Sequence, residues 1–463
     1  MKEPKFWMVG TYGKDGNDRK NRRDEFIKKG QWWTGDPQSF EKQLTQIQPN
    51  DYFILKSCHT REKTISCTTI YSIGIVKRVE ENFLVHVEWY TSKLLPKTLD
   101  IPTLSGNTTI IDSIRPGILE YVKKYIEENI NPMKTICSKL LEESHNIILH
   151  GAPGTGKTYL AKQIAAEIIG CKMEELGTKE NFGFVQFHPS YDYTDFVEGL
   201  RPVNKEGSKE IGFERKDGIF KTFCKKALDD KNKGKKSVFI IDEINRGELS
   251  KIFGELFFSI DPGYRGTKGA VKTQYSNMQE KPNEFDKALG VSGDKQDDCG
   301  HFFVPENVYI IGTMNDIDRN VESMDFAFRR RFAFREITAE ETQNMLTDTN
   351  SWPKTDEKTT KYPGNEIVKK IIACMNNLNE AIWNEKEKKG IDGLSSAYHI
   401  GASYFLKYNK ESKKPFKDLW DYHLKPLLQE YLRGMENADK KLEVLEKAYN
   451  KPQEEVKPAN QQS

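Results

Sequence analysis

The stretch NIILHGAPGTGKTYLAKQIAAEII, residues 146–169, constrains the fold more than any other part of the chain. A short apolar run ending at His150 meets a loop holding Gly151, Gly154 and Gly156, and an amphipathic helix starts at once with Lys157 and Thr158. A strand that turns into a helix through such a loop brings several backbone N–H groups to one point. The helix N-terminus adds partial positive charge there. A chance glycine-rich turn has neither the strand before it nor the helix after it. The pattern G-x-x-x-x-G-K-[ST] in this context is a phosphate-cradling loop. Gly151, Ala152, Pro153, Gly154, Thr155 and Gly156 form the cradle, and Tyr159 follows it on the helix. Lys157 reaches the outer phosphates, and the Thr158 hydroxyl is a ligand for Mg²⁺.

Other apolar runs, FGFVQF, SVFIID and NVYIIGT, alternate with helical stretches from Asn146 onward. Continuous short apolar strands separated by helices predict a parallel sheet covered on both faces, an α/β domain. Ligands of such sheets bind beyond the carboxyl ends of the strands. SVFIID ends in Asp242-Glu243, where Asp242 suits the metal and Glu243 suits an attacking water. NVYIIGT runs into Met314-Asn315-Asp316-Ile317-Asp318-Arg319. The Asn315 amide both donates and accepts, as a residue that orients water must. Asp318 and Arg319 read equally well as a local ion pair, a helix cap or groups facing a neighbouring subunit, and Asp316 has no evident role. In MDFAFRRRFAF, Arg330 and Arg331 are the candidates for an arginine offered across a subunit boundary, with Arg246 of DEINRG as a competitor.

With 463 residues the chain has room for about three domains. Residues 1–110 carry short β-like runs such as FWMVGTY and DYFILKS, which predict a small mixed β domain; residues 111–145 read as a helical connector. The α/β domain spans 146–335, a helical domain 336–450 and a disordered tail 451–463, while the polar stretch 261–300 reads as a hairpin with a long insert. The formal net charge of +2 gives no whole-chain case for nucleic-acid binding, so a basic surface must be local. The seven scattered cysteines form no CxxC pair and are read as reduced thiols of a cytoplasmic protein. No apolar run approaches a membrane span, so no membrane partner is expected.

The order of these motifs resembles the AAA+ superfamily and, more narrowly, the McrB-type motor subunits of modification-dependent restriction systems. The stretches VQFHPSYDYTDFVEGLRPV, GIFKTFCKKA, ELSKIFGELFFSI, VPENVYIIGTMN and YHIGASYF carry the resemblance, together with MNxxDR after the third strand. It implies an AAA+ P-loop NTPase domain with a helical lid and a homo-hexameric ring with sites at subunit interfaces. It also implies hydrolysis of GTP, with ATP as the alternative, and a separate McrC-type nuclease subunit that cuts DNA. The chain departs from the family pattern at Asp316 and at Ala402, where a His is common. Residues 1–105 resemble EVE/PUA-like domains that bind modified double-stranded DNA. A flipped base needs aromatic walls, for which Trp32 and Trp33 are the candidates. Successive residues of an extended chain point opposite ways, so at most one of the pair lines a pocket. Trp7 and Trp89 read as core, and Lys14, Arg19, Lys20, Arg22 and Arg23 could grip phosphates. Two other readings stay open: an ATPase that remodels proteins, with the N-terminal domain as adaptor, and a nucleotide switch without turnover.

Overall fold

The computed structural model describes residues 5–10, 12–15, 18–33, 38–48, 51–61, 65–80, 83–90, 99–102, 110–111, 132–204, 211–229, 234–292, 298–317, 326–348, 351–353 and 361–454. The chain forms two compact units, 1–135 and 136–463.

The first unit contains β1 (Phe6–Gly10), β2 (Tyr12–Asp15), β3 (Asp18–Asn21), β4 (Gln31–Trp32), β5 (Tyr52–Arg61), β6 (Ile65–Val79), β7 (Val85–Tyr90), β8 (Leu99–Pro102) and β9 (Ile110–Ile111). Its main sheet runs β4-β7-β6-β5-β1-β9, with β8 added on β6 and β2–β3 as a separate hairpin. Among the described strands of this unit, only β1 and β5 pair in parallel. The main sheet of this unit is therefore mixed. Alternation along β1 sends Trp7 and Val9 into one core with Phe26, Trp32, Phe53 and Trp89. Buried Asp51 holds the entry to β1 and β5: its carboxylate accepts from the Lys5 and Gln48 amides and from Trp7 Nε1. The helix expected early in the connector lies outside the described residues; the later one is Pro132–Ser144.

In the second unit β10 (Asn146–His150), β11 (Phe182–Gln186), β14 (Ser237–Asp242), β17 (Val308–Thr313) and β18 (Ala333–Glu336) make one parallel sheet, ordered β11-β14-β17-β10-β18. Ile147, Ile148 and Leu149 of β10 and Val238 to Ile241 of β14 are fully buried, as strands covered on both faces must be. The first four strands match the expected runs closely. The fifth was not expected: it starts at the end of the basic-aromatic stretch, and its partner β10 lies far away in sequence. β10 lies between β17 and β18, so the strand order reverses at its carboxyl end. Two hairpins leave the sheet, β12 (Glu198–Asn204) with β13 (Ile211–Asp217), and β15 (Val271–Lys272) with β16 (His301–Phe302). The latter is the hairpin expected over 261–300, with the helix Glu284–Ala288 in its insert.

The lid packs the helices Asn365–Ile382 and Ala438–Glu454 around Met375, Leu378, Leu428 and Leu445. A small hairpin, β19 (Trp383–Asn384) with β20 (Lys389–Gly390), interrupts the expected helical texture. The last helix runs to Glu454, past the boundary expected at residue 450. Tyr449 anchors it: the ring stacks on Trp420 and the hydroxyl donates to the Phe416 carbonyl. Among the described residues no helix is long and apolar enough to cross a membrane. Cys137, Cys171, Cys224, Cys299 and Cys374 are free thiols.

Candidate active site

The carboxyl ends of β10, β14 and β17 meet the lid around a cleft of about 550 Å³. Its lining includes Gly154, Gly156, Lys157, Thr158, Glu243, Thr313 and Asn315. Gly156 takes φ 77°, a left-handed conformation that lets the loop turn straight into the helix Lys157–Ile169. Lys157 is buried, and its Nζ donates to the carbonyls of Gly151 and Ala152 at 3.1 and 2.8 Å.

The acidic pair is held from the helix after the phosphate loop and from the end of β17. Asp242 Oδ1 accepts the Thr158 hydroxyl at 2.7 Å and the Thr313 hydroxyl at 2.5 Å. Glu243 adopts φ 51° and ψ 45°, and its Oε1 accepts Asn315 Nδ2 at 2.9 Å. Its Oε2 accepts Arg246 Nε at 3.2 Å. Asn245 Nδ2 donates to the Asn315 carbonyl, tying the two strand tips together. Thus Lys157, Thr158, Glu243 and Asn315 line one cleft, and Asp242 is bonded to two of its lining residues, Thr158 and Thr313. Thr313 was missed, because a threonine closing an apolar strand carries no pattern of its own.

Asp316 now has a structural role. Its carboxylate lies 3.0 Å from His150 Nδ1, and its amide donates to the Gly151 carbonyl. The acid ties the end of β17 to the start of the phosphate loop. Thr158 and Asp242 offer adjacent oxygen ligands, the donor chemistry that suits Mg²⁺ shared with phosphates. Among the described residues no group of three or more His, Cys, Asp or Glu side chains forms a metal cage.

The lid closes one wall. The Gly401 amide donates to the Pro153 carbonyl and the Ser403 amide to the Gly154 carbonyl, each at 3.0 Å. A Cβ at Gly401 would lie 2.1 Å from the Gly154 carbonyl carbon, so only glycine permits the approach. Tyr404 and Lys407 also line the cleft, with the Lys407 ammonium 5.4 Å from the Tyr404 ring centre. Burial pushes the Tyr404 phenol up; it does the same at Tyr159, where Asp348 adds to the effect. Both stay neutral hydroxyl donors at physiological pH.

The arginines separate. Arg329 and Arg330 are exposed. Arg331 is a correction to the sequence reading: it is only 8% exposed, donates Nη1 to the Ala327 carbonyl and lies over the Phe257 ring. Phe328 and Phe332 stack on either side in sequence and draw it into the core. Arg246 is directed at Glu243 of its own chain. Asp318 and Arg319 lie outside the described residues.

In the first unit Trp32 is also corrected: it is fully buried, donates Nε1 to the Gly10 carbonyl and packs edge-on against Phe53. It is a core residue and not a pocket wall. Trp33 is half-buried, with the Arg22 and Lys29 cations 5.6 and 5.8 Å from its ring centre. Trp7 and Trp89 are buried, as expected. The side chains of Lys14, Arg19 and Lys20 lie outside the described ones.

Residues 146–332 match the AAA domain of the dynein-related subfamily, and residues 370–439 match the McrB alpha-helical lid domain. The chain carries an AAA domain and a McrB-type lid. The span matched to the AAA domain contains the phosphate loop, the acidic pair and Asn315. Over 307 residues the chain is 35% identical to the type IV methyl-directed restriction enzyme EcoKMcrB subunit of Escherichia coli, covering 65% of this chain and 56% of that protein. It is also 26% identical over 304 residues to the type II restriction enzyme BsuMI component YdiS of Bacillus subtilis, covering 60% of this chain and 78% of that one. Among solved structures, PCH-2 of C. elegans aligns over 71% of this chain and 70% of its own with a TM-score of 0.24 at 13% identity, too loose to carry an argument.

Proposed function

We propose that the chain is the nucleotide-driven motor of a two-component restriction system, hydrolysing GTP, or failing that ATP. The observation that carries this reading is the convergence of Thr158, Glu243 and Asn315 on one cleft beside the phosphate loop, with Asp242 bonded to Thr158 behind them. Similarity to subunits of two restriction enzymes supports the setting.

Hydrolysis by such sites is mainly positioning and charge neutralisation. Lys157 exchanges its loop carbonyls for the β- and γ-phosphates. Thr158 and Asp242 would hold Mg²⁺, which would supply charge neutralisation at the phosphates. Glu243 takes the proton of the attacking water, and Asn315 fixes the carboxylate that does so. Asn315 bonds to Glu243 and lies two residues beyond β17, the strand beside β14, so it couples the water's position to that strand.

A homo-hexameric ring would bring exposed Arg329 or Arg330, or Arg319, towards a neighbour's phosphate. The first unit, read as EVE/PUA-like, would hold modified DNA, with half-buried Trp33 and its neighbours Arg22 and Lys29 as the aromatic-basic group. A separate McrC-type nuclease subunit would cleave. Retention of methylated against unmodified duplexes by the full chain tests the DNA reading. Preferential retention of the methylated duplex supports it; equal, weak retention favours the protein-remodelling alternative.

A further inference from the structure

We propose that Thr313 is a positioning residue for hydrolysis, whose single hydroxyl sets the metal-holding carboxylate and the water-activating residue in one geometry. Thr313 ends β17 and is 2% exposed. Its Oγ1 donates to Asp242 Oδ1 at 2.5 Å and accepts the Glu243 amide at 3.3 Å. A hydroxyl has one proton to give and lone pairs to receive, so both bonds form together.

Each contact answers a specific problem. Asp242 ends β14, where its carboxylate could rotate freely about its own bonds. Two hydroxyls on the same Oδ1, from Thr158 on one neighbouring element and Thr313 on another, fix the plane of the carboxylate. Glu243 takes a left-handed backbone that a residue bearing a side chain adopts at a cost. Its N–H lies past the end of the β14–β17 ladder and donates to Thr313 Oγ1. The same turn swings the Glu243 side chain back to Asn315, which lies two residues beyond Thr313. One side chain on β17 therefore fixes Asp242 at the end of β14 and Glu243 just beyond it, and a shift of β17 moves them together.

The inference rests on the reading of Asp242 and Glu243 given above, and the test separates the two. Thr313→Val keeps shape and removes the hydroxyl; Thr313→Ser keeps the hydroxyl and removes the methyl; Glu243→Gln is the reference. Three quantities are measured on the full chain: kcat, nucleotide KM, and the Mg²⁺ concentration that half-saturates binding of a fluorescent guanine nucleotide. Thr313→Val is expected to lower kcat by about tenfold or more. KM should move by less than about threefold, the split of a group acting in the transition state. The Mg²⁺ midpoint should rise, and Thr313→Ser should restore both kcat and midpoint. Wild-type kcat and midpoint in Thr313→Val overturn the proposal, as does equal loss in the valine and serine chains, which would assign the effect to methyl packing. Where the valine chain does not fold, Thr313→Cys, close in size with a weaker donor, must fall between serine and wild type on one side and complete loss on the other; wild-type behaviour there overturns the proposal too. If Glu243→Gln itself turns over at the wild-type rate, the reading of the site fails instead.

Discussion

Replacing Gly401 by Ala tests how the lid holds the phosphate loop. Gly401 is not in a left-handed conformation (φ −76°), so alanine meets no backbone penalty there and the whole effect is one of space. The new Cβ would stand 2.1 Å from the Gly154 carbonyl carbon and 2.3 Å from the Thr155 nitrogen, both backbone atoms that cannot swing away. The lid must then back off, which breaks the bonds from Gly401 to Pro153 and from Ser403 to Gly154. Two backbone hydrogen bonds contribute on the order of 1 kcal/mol each. Alternatively the contact is kept under strain, at about 1–3 kcal/mol for overpacking. Either route costs about 2 kcal/mol of lid docking, and because the moved carbonyls belong to the phosphate loop, nucleotide affinity should fall by about tenfold or more. The assays are titration of a fluorescent nucleotide and thermal unfolding. Gly177→Ala is the control, since nothing lies within 4 Å of a Cβ there. Wild-type affinity and melting in Gly401→Ala would refute the reasoning, because the structure leaves that methyl nowhere to go.

Glu243→Gln should bind nucleotide normally and lose about two to four orders of magnitude in turnover, measured by phosphate release. Trp32→Ala should destabilise the first unit by about 3–5 kcal/mol, read by denaturant titration, whereas Trp33→Ala should cost less and weaken DNA retention instead. Burial acts to raise the Asp286 carboxyl, but the amides of Asn283, His301 and Gly300 outweigh it and hold it below its ordinary value. A carboxyl lowered by folding stabilises the chain above its unfolded pKa of about 3.9 and loses that contribution as pH falls through the folded value. The stability gap between wild type and Asp286→Asn should thus be widest near neutral pH and close in acid, as measured by urea titrations across pH; a gap independent of pH would contradict this.

Much of the α/β domain was legible because its signals are local. The run Ser237 to Asp242 is β14 from end to end, and the glycines, Lys157 and Thr158 follow β10 without a break. What escaped depends on contacts distant in sequence. The β18 strand has its partner in β10, which lies far upstream. Asp316 finds its reason only in His150, and Thr313 only in Asp242 and Glu243. Arg331 and Trp32 show the opposite error. Chemistry suited to a surface role was assigned from residue type, whereas burial is settled by what packs around the side chain. The lid's grip on the phosphate loop, through backbone atoms of Gly401 and Ser403, leaves no trace in side-chain pattern at all.

The central claim, that three strand tips and the phosphate loop make a hydrolytic site for a guanine nucleotide, meets its most direct test in steady-state hydrolysis. GTP and ATP are compared side by side with the full chain, with and without the McrC-type nuclease subunit, and with Glu243→Gln as reference. The account predicts turnover of GTP above ATP in the wild type, stimulation by the nuclease subunit, and loss of turnover in Glu243→Gln with binding retained. Equal turnover in the wild type and Glu243→Gln, or no turnover of either nucleotide in any combination, would contradict it.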